Sequence, residues 1–273
     1  MLHTSGQDVL IPHPAVSPVR VSLLVDSRDR ELGGTPGAYT VRLPEAFRNV
    51  SGARLVTAEL PTSFFVFTAA RGNTSLLVTV GADTRVVTIP DGNYSFSRMT
   101  AAVTTALNAA FPAAAFAVTI SPASFRATIA AGVTFSLNTA SALAYDATAW
   151  GLAWYLGFPK NATLTGTSVT APNVASVNPE TYLLLDVEGM NFVREVGPGG
   201  GGTPNRTFAK VPVNAESFEY VYFDSCITAN AIDPPLPRVD SLRLRWRFHD
   251  GRAVDFQMAE HSLTLELTCT VER

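Results

Sequence analysis

Three observations on the sequence predict a mainly β protein, a jelly-roll-like β-sandwich with an inserted β-β-α-β-β unit. Most apolar residues recur at period two, as in LRLRWRF at 242–248 and SLTLELTCTV at 262–271, the spacing of strands that bury one face. One segment breaks this rhythm: SFSRMTAAVTTALNAAF at 95–111 has helical spacing. Strand-like runs lie on both sides of it, so the helix belongs to a unit set between two groups of sandwich strands.

Taken in order, residues 1–18 hold Pro12, Pro14 and Pro18 in a polar setting, which suits an extended N-terminal arm lying on a neighbour better than a packed element. Residues 19–273 form the sandwich domain, with the α+β insertion at about 73–160. Strands are expected at 20–26 and 38–43, joined by the turn-rich DRELGGTPG. The stretch from Asn49 to Phe67 is read as the central strand, with Leu55, Thr57 and Glu59 on one face and Arg54, Val56, Ala58 and Leu60 on the other. Pro61 has no ladder donor, so pairing should stop there and the chain should turn a corner before Phe64, Phe65 and Phe67.

SLLVTVG and TRVVTIP, separated by Gly81-Ala82-Asp83, read as a hairpin. In the helix, Phe96, Met99, Val103, Leu107 and Phe111 make an apolar stripe of the kind that faces a core; Ser95 or Ser97 caps its start and Pro112 ends it. FAVTIS, FRATIAA and VTFSL return to strand, and residues 148–156 suit a short helix stopping at Gly157. Residues 161–177 read as a surface connection with room for one edge strand. YLLLDVEG is a buried strand, the glycine run at 197–202 a flexible loop, and EYVYFDSCI a strand with aromatics on alternate sides. In the C-terminal hairpin Leu242, Leu244, Trp246 and Phe248 point one way and Arg243, Arg245 and Arg247 the other, with a tight turn at Asp250-Gly251.

The composition narrows the function. With 273 residues, 47% hydrophobic and only 16% charged, the chain buries a sizeable core and has few charges to cover its surface, so some apolar area should meet a partner. The net charge of −3 is the wrong sign for direct nucleic-acid binding. Lys160 and Lys210 are the only lysines; an arginine-dominated cation set suits bidentate contacts with carboxylates, although a G+C-rich genome yields the same bias. Cys226 and Cys269 stand far apart, which indicates neither a disulfide framework nor a zinc site. The N-terminus lacks a basic region followed by an apolar one, so secretion is not expected, and no apolar run is long enough for a membrane span.

No catalytic constellation emerges. His3, His13, His249 and His261 are scattered, and the glycine run lacks the Lys-Ser/Thr of a phosphate loop. Asp26 and Asp29 could recruit a hard cation, but Arg28 and Arg30 beside them favour a strand end pinned by carboxylate–arginine pairs. The expectation is therefore no catalytic residue, no metal and no cofactor, and inert cysteines. The candidate interface residues are Arg243, Arg245 and Arg247, matched by carboxylates across a partner or within the chain at Glu266, together with Phe64 and Phe65 of the aromatic corner.

Several stretches together, VSLLVDSRDR, AYTVRLPEAFRNVSGARLVTAELPTSFF, IPDGNYSFSRMTAAVTTALN, WYLGF and WRFHDGRAVDFQMAEHSLTLELT, resemble in order and spacing the minor capsid proteins of nucleocytoplasmic large DNA viruses of algae and amoebae. That resemblance implies a virion structural protein on a β-sandwich, assembled in the host cytoplasm. It implies, as partners, the major capsid protein under or between whose capsomers it lies, and other minor capsid proteins. It carries no catalytic residues over. The alternative from a different class is a vertex or fibre-type module binding carbohydrate or a receptor, since jelly-roll sandwiches also serve as lectins.

Overall fold

The computed structural model describes residues 17–139, 151–178, 180–195, 206–225 and 229–271. The strands are β1 (Ser17–Asp26), β2 (Ala38–Pro61), β3 (Ser75–Val80), β4 (Asp83–Thr88), β5 (Ala117–Ile120), β6 (Ala127–Asn138), β7 (Thr163–Thr170), β8 (Tyr182–Val187), β9 (Val193–Arg194), β10 (Arg206–Thr207), β11 (Ala209–Pro212), β12 (Tyr220–Asp224), β13 (Asn230–Arg247) and β14 (Ser262–Val271). Two α-helices stand among them, α1 (Phe96–Ala110) and α2 (Leu152–Tyr155). Among the described residues no helix is long and apolar enough to cross a membrane. Most of the expected arm, Cys226 and the glycine run lie outside the described residues.

The organising strand is β2. Its first half pairs with the C-terminal half of β13, and β8 and β11 continue that layer. Its second half has β14 and then β1 on one edge, and the start of β13 followed by β12 on the other. Between the halves the sheet folds over on itself. The His261 ring, just before β14, stands 5.5 Å from Tyr39 of β2 and 5.7 Å from Trp246 of β13. Both layers share one core, with Leu55, Leu60, Leu185, Trp246 and Leu265 almost fully buried. This is a jelly-roll-like sandwich built from curled antiparallel strands.

Bulges let one strand serve both layers. Four residues, Leu43 to Ala46, stand opposite the single Asp240, so Pro44 sits where no ladder donor is needed. The expected break between a strand at 38–43 and the central strand is therefore absent. A second irregularity at Val56 corrects the expected facing of the central strand: Thr57 pairs with Thr264 but Leu55 with Leu265. The extra residue flips the phase, so Leu55 joins Ala58 and Leu60 in the core while Arg54, Thr57 and Glu59 face outward. Pro61 ends the strand, as the missing donor requires.

A second unit with its own core follows. β6 carries β5 and β3 along one edge and β7 along the other, and β4 pairs with β3. FRATIAA and VTFSL, expected as two strands, are the two ends of β6, with a register shift between Ala130 and Phe135. Helix α1 seats Met99, Val103 and Leu107 on this sheet, each 0% exposed. The Ser95 hydroxyl accepts from the Arg98 N–H and caps the helix. β7 is the edge strand for which the 161–177 connection left room.

Candidate interface surfaces

The arginine row of β13 divides when its surroundings are seen. Arg243 and Arg245 are exposed on the outer face of the first layer. Arg243 pairs with Glu188 at 3.0 Å, and Arg245 donates to the Gly251 carbonyl at 2.7 Å. Arg247 is buried, its side chain 7% exposed, between Asp186 at 2.7 Å and Glu195. Burial works against its charge, but hydrogen bonds to Glu195 and Asp186 more than compensate and raise its pKa. Arg247 is thus the centre of a buried ion triad: strand alternation turns it outward with Arg243 and Arg245, yet its pairing with Asp186 and Glu195 leaves it buried. Glu266 is not the row's partner: it accepts from Arg54 at 3.0 Å and 3.1 Å, because β14 pairs with β2 and not with β13.

The aromatic corner divides in the same way. Phe64 is 2% exposed and packs edge-on against Phe248 and Phe256, so its contribution is to the core. Asn93 holds the corner by accepting from the Val66 N–H and donating to the Phe64 carbonyl. Phe65 is half-buried and lines a cleft of about 360 Å³ with Arg71, Asp91, Phe248 and Arg252. Arg71 joins the two units: its guanidinium lies 5.0 Å from the Phe248 ring centroid, donates to the Val66 carbonyl and pairs with Glu180.

The DSRDR strand end is a local clasp. Asp26 accepts from the Arg28 backbone and side chain, and the Arg28 side-chain bond is the main cause that lowers its pKa to about 2. Arg30 pairs with Glu260 at 2.7 Å. Among the described residues no group of His, Cys, Asp and Glu is arranged to hold a metal. Cys269 is 6% exposed, and burial raises its thiol pKa, the opposite of what a nucleophile needs.

Sequence reasoning missed the most exposed aromatic surface. β12 pairs only with β2, through one edge. Tyr222 is 74% exposed, Tyr220 50%, and Phe218, in the turn before the strand, 68%. The two tyrosine rings lie 6.4 Å apart on the outer face of the second layer. Alternation identified two sides to this strand without saying which was outward; Val221, 1% exposed in the sandwich core, decides it. A second surface feature was equally invisible. Leu32 is fully exposed beside a cleft of about 360 Å³ lined by Arg243 and Arg245.

No family model matches the chain. It is 26% identical over 96 residues to the penton capsid protein P1 of Paramecium bursaria Chlorella virus 1, a match covering 33% of this chain. The match spans 55% of the length of that curated relative. The crystal structure of the mavirus penton protein superposes with a TM-score of 0.53 at 8% identity, covering 93% of this chain and all of that one. That likeness is one of fold. The resemblance to minor capsid proteins of the nucleocytoplasmic large DNA viruses, first visible in scattered sequence stretches, thus has support from sequence over one segment, and the likeness of fold extends over nearly the whole chain.

Proposed function

We propose that this chain is a non-enzymatic structural subunit of a viral capsid, a penton-type protein that contacts the major capsid protein and other minor capsid proteins in the virion. The observation that carries the reading is the agreement of two independent comparisons on penton proteins, one in sequence and one in fold. A curled sandwich with exposed Tyr220, Tyr222, Arg243 and Arg245 on its outer faces supports it, since aromatics and arginine are the residues enriched at protein interfaces. The arm expected at residues 1–18, whose last two residues, Ser17 and Pro18, are instead paired with β14 in β1, adds a segment for contact with neighbours. The test is a density map of purified particles together with mass spectrometry of their proteins. The expected result is this chain in stoichiometric amount, its sandwich fitting density at the vertices. Absence from purified particles overturns the reading.

A further inference from the structure

We propose that the aromatic strip of β12 on one copy of this chain seats against the arginine face of β2 and β13 on a second copy, head to tail. The contact joins one copy to the next, and it rests on the penton reading above.

The two surfaces are complementary in charge and in chemistry. The segment 214–225, NAESFEYVYFDS, holds Glu216, Glu219 and Asp224 and no basic residue. All three acids are exposed, and among the described residues none has a cation within salt-bridge distance. Phe218, Tyr220 and Tyr222 stand exposed among them. Opposed to this, Arg42 and Arg243 are 84% and 69% exposed at their side chains. Their carboxylate partners Glu31 and Glu188 each meet a guanidinium at one nitrogen, Nε of Arg42 and Nη1 of Arg243, and both guanidinium groups remain largely exposed. Arg245 is held by a carbonyl alone among the described residues. Guanidinium faces stack on tyrosine rings, while their remaining N–H groups donate to further carboxylates. The cleft beside Arg243 and Arg245, with the wholly exposed Leu32 at its rim, offers an apolar seat for one aromatic ring.

The topology excludes the same contact within one chain. Tyr222 is paired beside Glu59 near one end of β2, and Arg243 beside Thr40 near the other. These ends belong to opposite layers, and both patches lie on the faces turned away from the shared core. One subunit therefore presents two different, mutually complementary patches pointing apart. That is the requirement of a heterologous contact, which propagates from copy to copy and closes into a ring when the rotation allows. A two-fold contact would need a patch complementary to itself.

The test uses the full chain and two variants, Tyr220→Ala/Tyr222→Ala and Arg243→Ala/Arg245→Glu, each checked for unchanged melting. Sedimentation velocity is run at stepped protein and salt concentrations. The wild type should form multimers that weaken with salt, and each variant alone should self-associate at least tenfold more weakly, as loss of a hot-spot cluster requires. The decisive sample is the equimolar mixture of the two variants. Each retains the patch that the other lacks, so the mixture should form dimers that do not grow. Variants that multimerise like the wild type, or a mixture that builds wild-type-sized species, overturn the head-to-tail contact while leaving the penton reading in place. A wild type that stays monomeric throughout also overturns it, and the particle map then judges the penton reading separately.

Discussion

Replacing Arg247 with methionine should be among the most damaging single changes in the sandwich, although strand alternation places it with two expendable neighbours. Methionine keeps much of the side-chain volume but strands Asp186 and Glu195, which are 18% and 16% exposed. Removing one member of a buried ion group costs roughly 3–5 kcal/mol, because the remaining charges lose their compensation. Some water reaches both carboxylates, so the lower end applies, about 3 kcal/mol, or roughly 6–12 °C in Tm for a chain near this size. Arg243→Met is the control. Its pair with Glu188 is exposed on both sides, and such pairs contribute about 1 kcal/mol or less. Scanning fluorimetry at neutral pH separates the two. The mechanism has its own check, since Arg247→Met combined with Asp186→Leu and Glu195→Leu removes the stranded charges and should recover most of the loss. A shift under about 2 °C for the single variant, or a triple variant no more stable than the single one, would refute the account.

Three further outcomes follow from the packing. His261 is held neutral, burial outweighing the Pro36 carbonyl, Glu260 and Asp26, while Arg30 acts in the same sense as burial. Its folded pKa lies below its unfolded value, so its contribution is complete above pH about 6.5 and is lost as the pH falls below that. His261→Gln should flatten the Tm profile in the window down to the carboxylate range; equal slopes in both proteins would count against the assignment. Below that window Asp26, Asp250 and Glu260, all with lowered pKa values, should cost both proteins stability. Leu107→Ala should lower unfolding free energy by about 2–5 kcal/mol and Ser95→Ala by about 1 kcal/mol; a Leu107 effect below that of Ser95 in denaturant titrations would mean that α1 is not seated as described. In a Cys226→Ser background, Cys269 should react with a thiol reagent only after unfolding, and rapid labelling of the native protein would contradict its burial.

What was legible in the sequence was whatever depends on neighbours a few residues apart. The stripe from Met99 to Leu107, the hairpin at Gly81 and the alternation of Leu242, Leu244 and Trp246 all follow from local periodicity, and the structure has them in place. The misreadings come from partners distant in sequence. Glu266 looked available to the arginine row until strand order put β2 beside it. Arg247 looked solvent-facing because alternation cannot see what covers a face. The phase flip at Val56 leaves no mark in composition, since a bulge is a property of the pair and not of either strand. Exposure of Tyr220 and Tyr222 was hidden for a related reason: tyrosine suits a pleated surface on either side.

The placement of β2 between β13 and β14 bears on how the molecule is made. During synthesis β1 and β2 emerge before the other described strands, yet those that cover the edges of β2 are found only near the far end of the described chain. The α1 unit, with mostly local pairings and its own core, can fold while the older strands wait. Long-range closure of this kind is slow and leaves sheet edges open meanwhile. A product cut short before Asn230 lacks the arginine strand, and one cut short before Ser262 leaves β1 without its partner among the described strands, β14. Neither completes the sandwich, so its two outer faces come into register only once translation has passed β14.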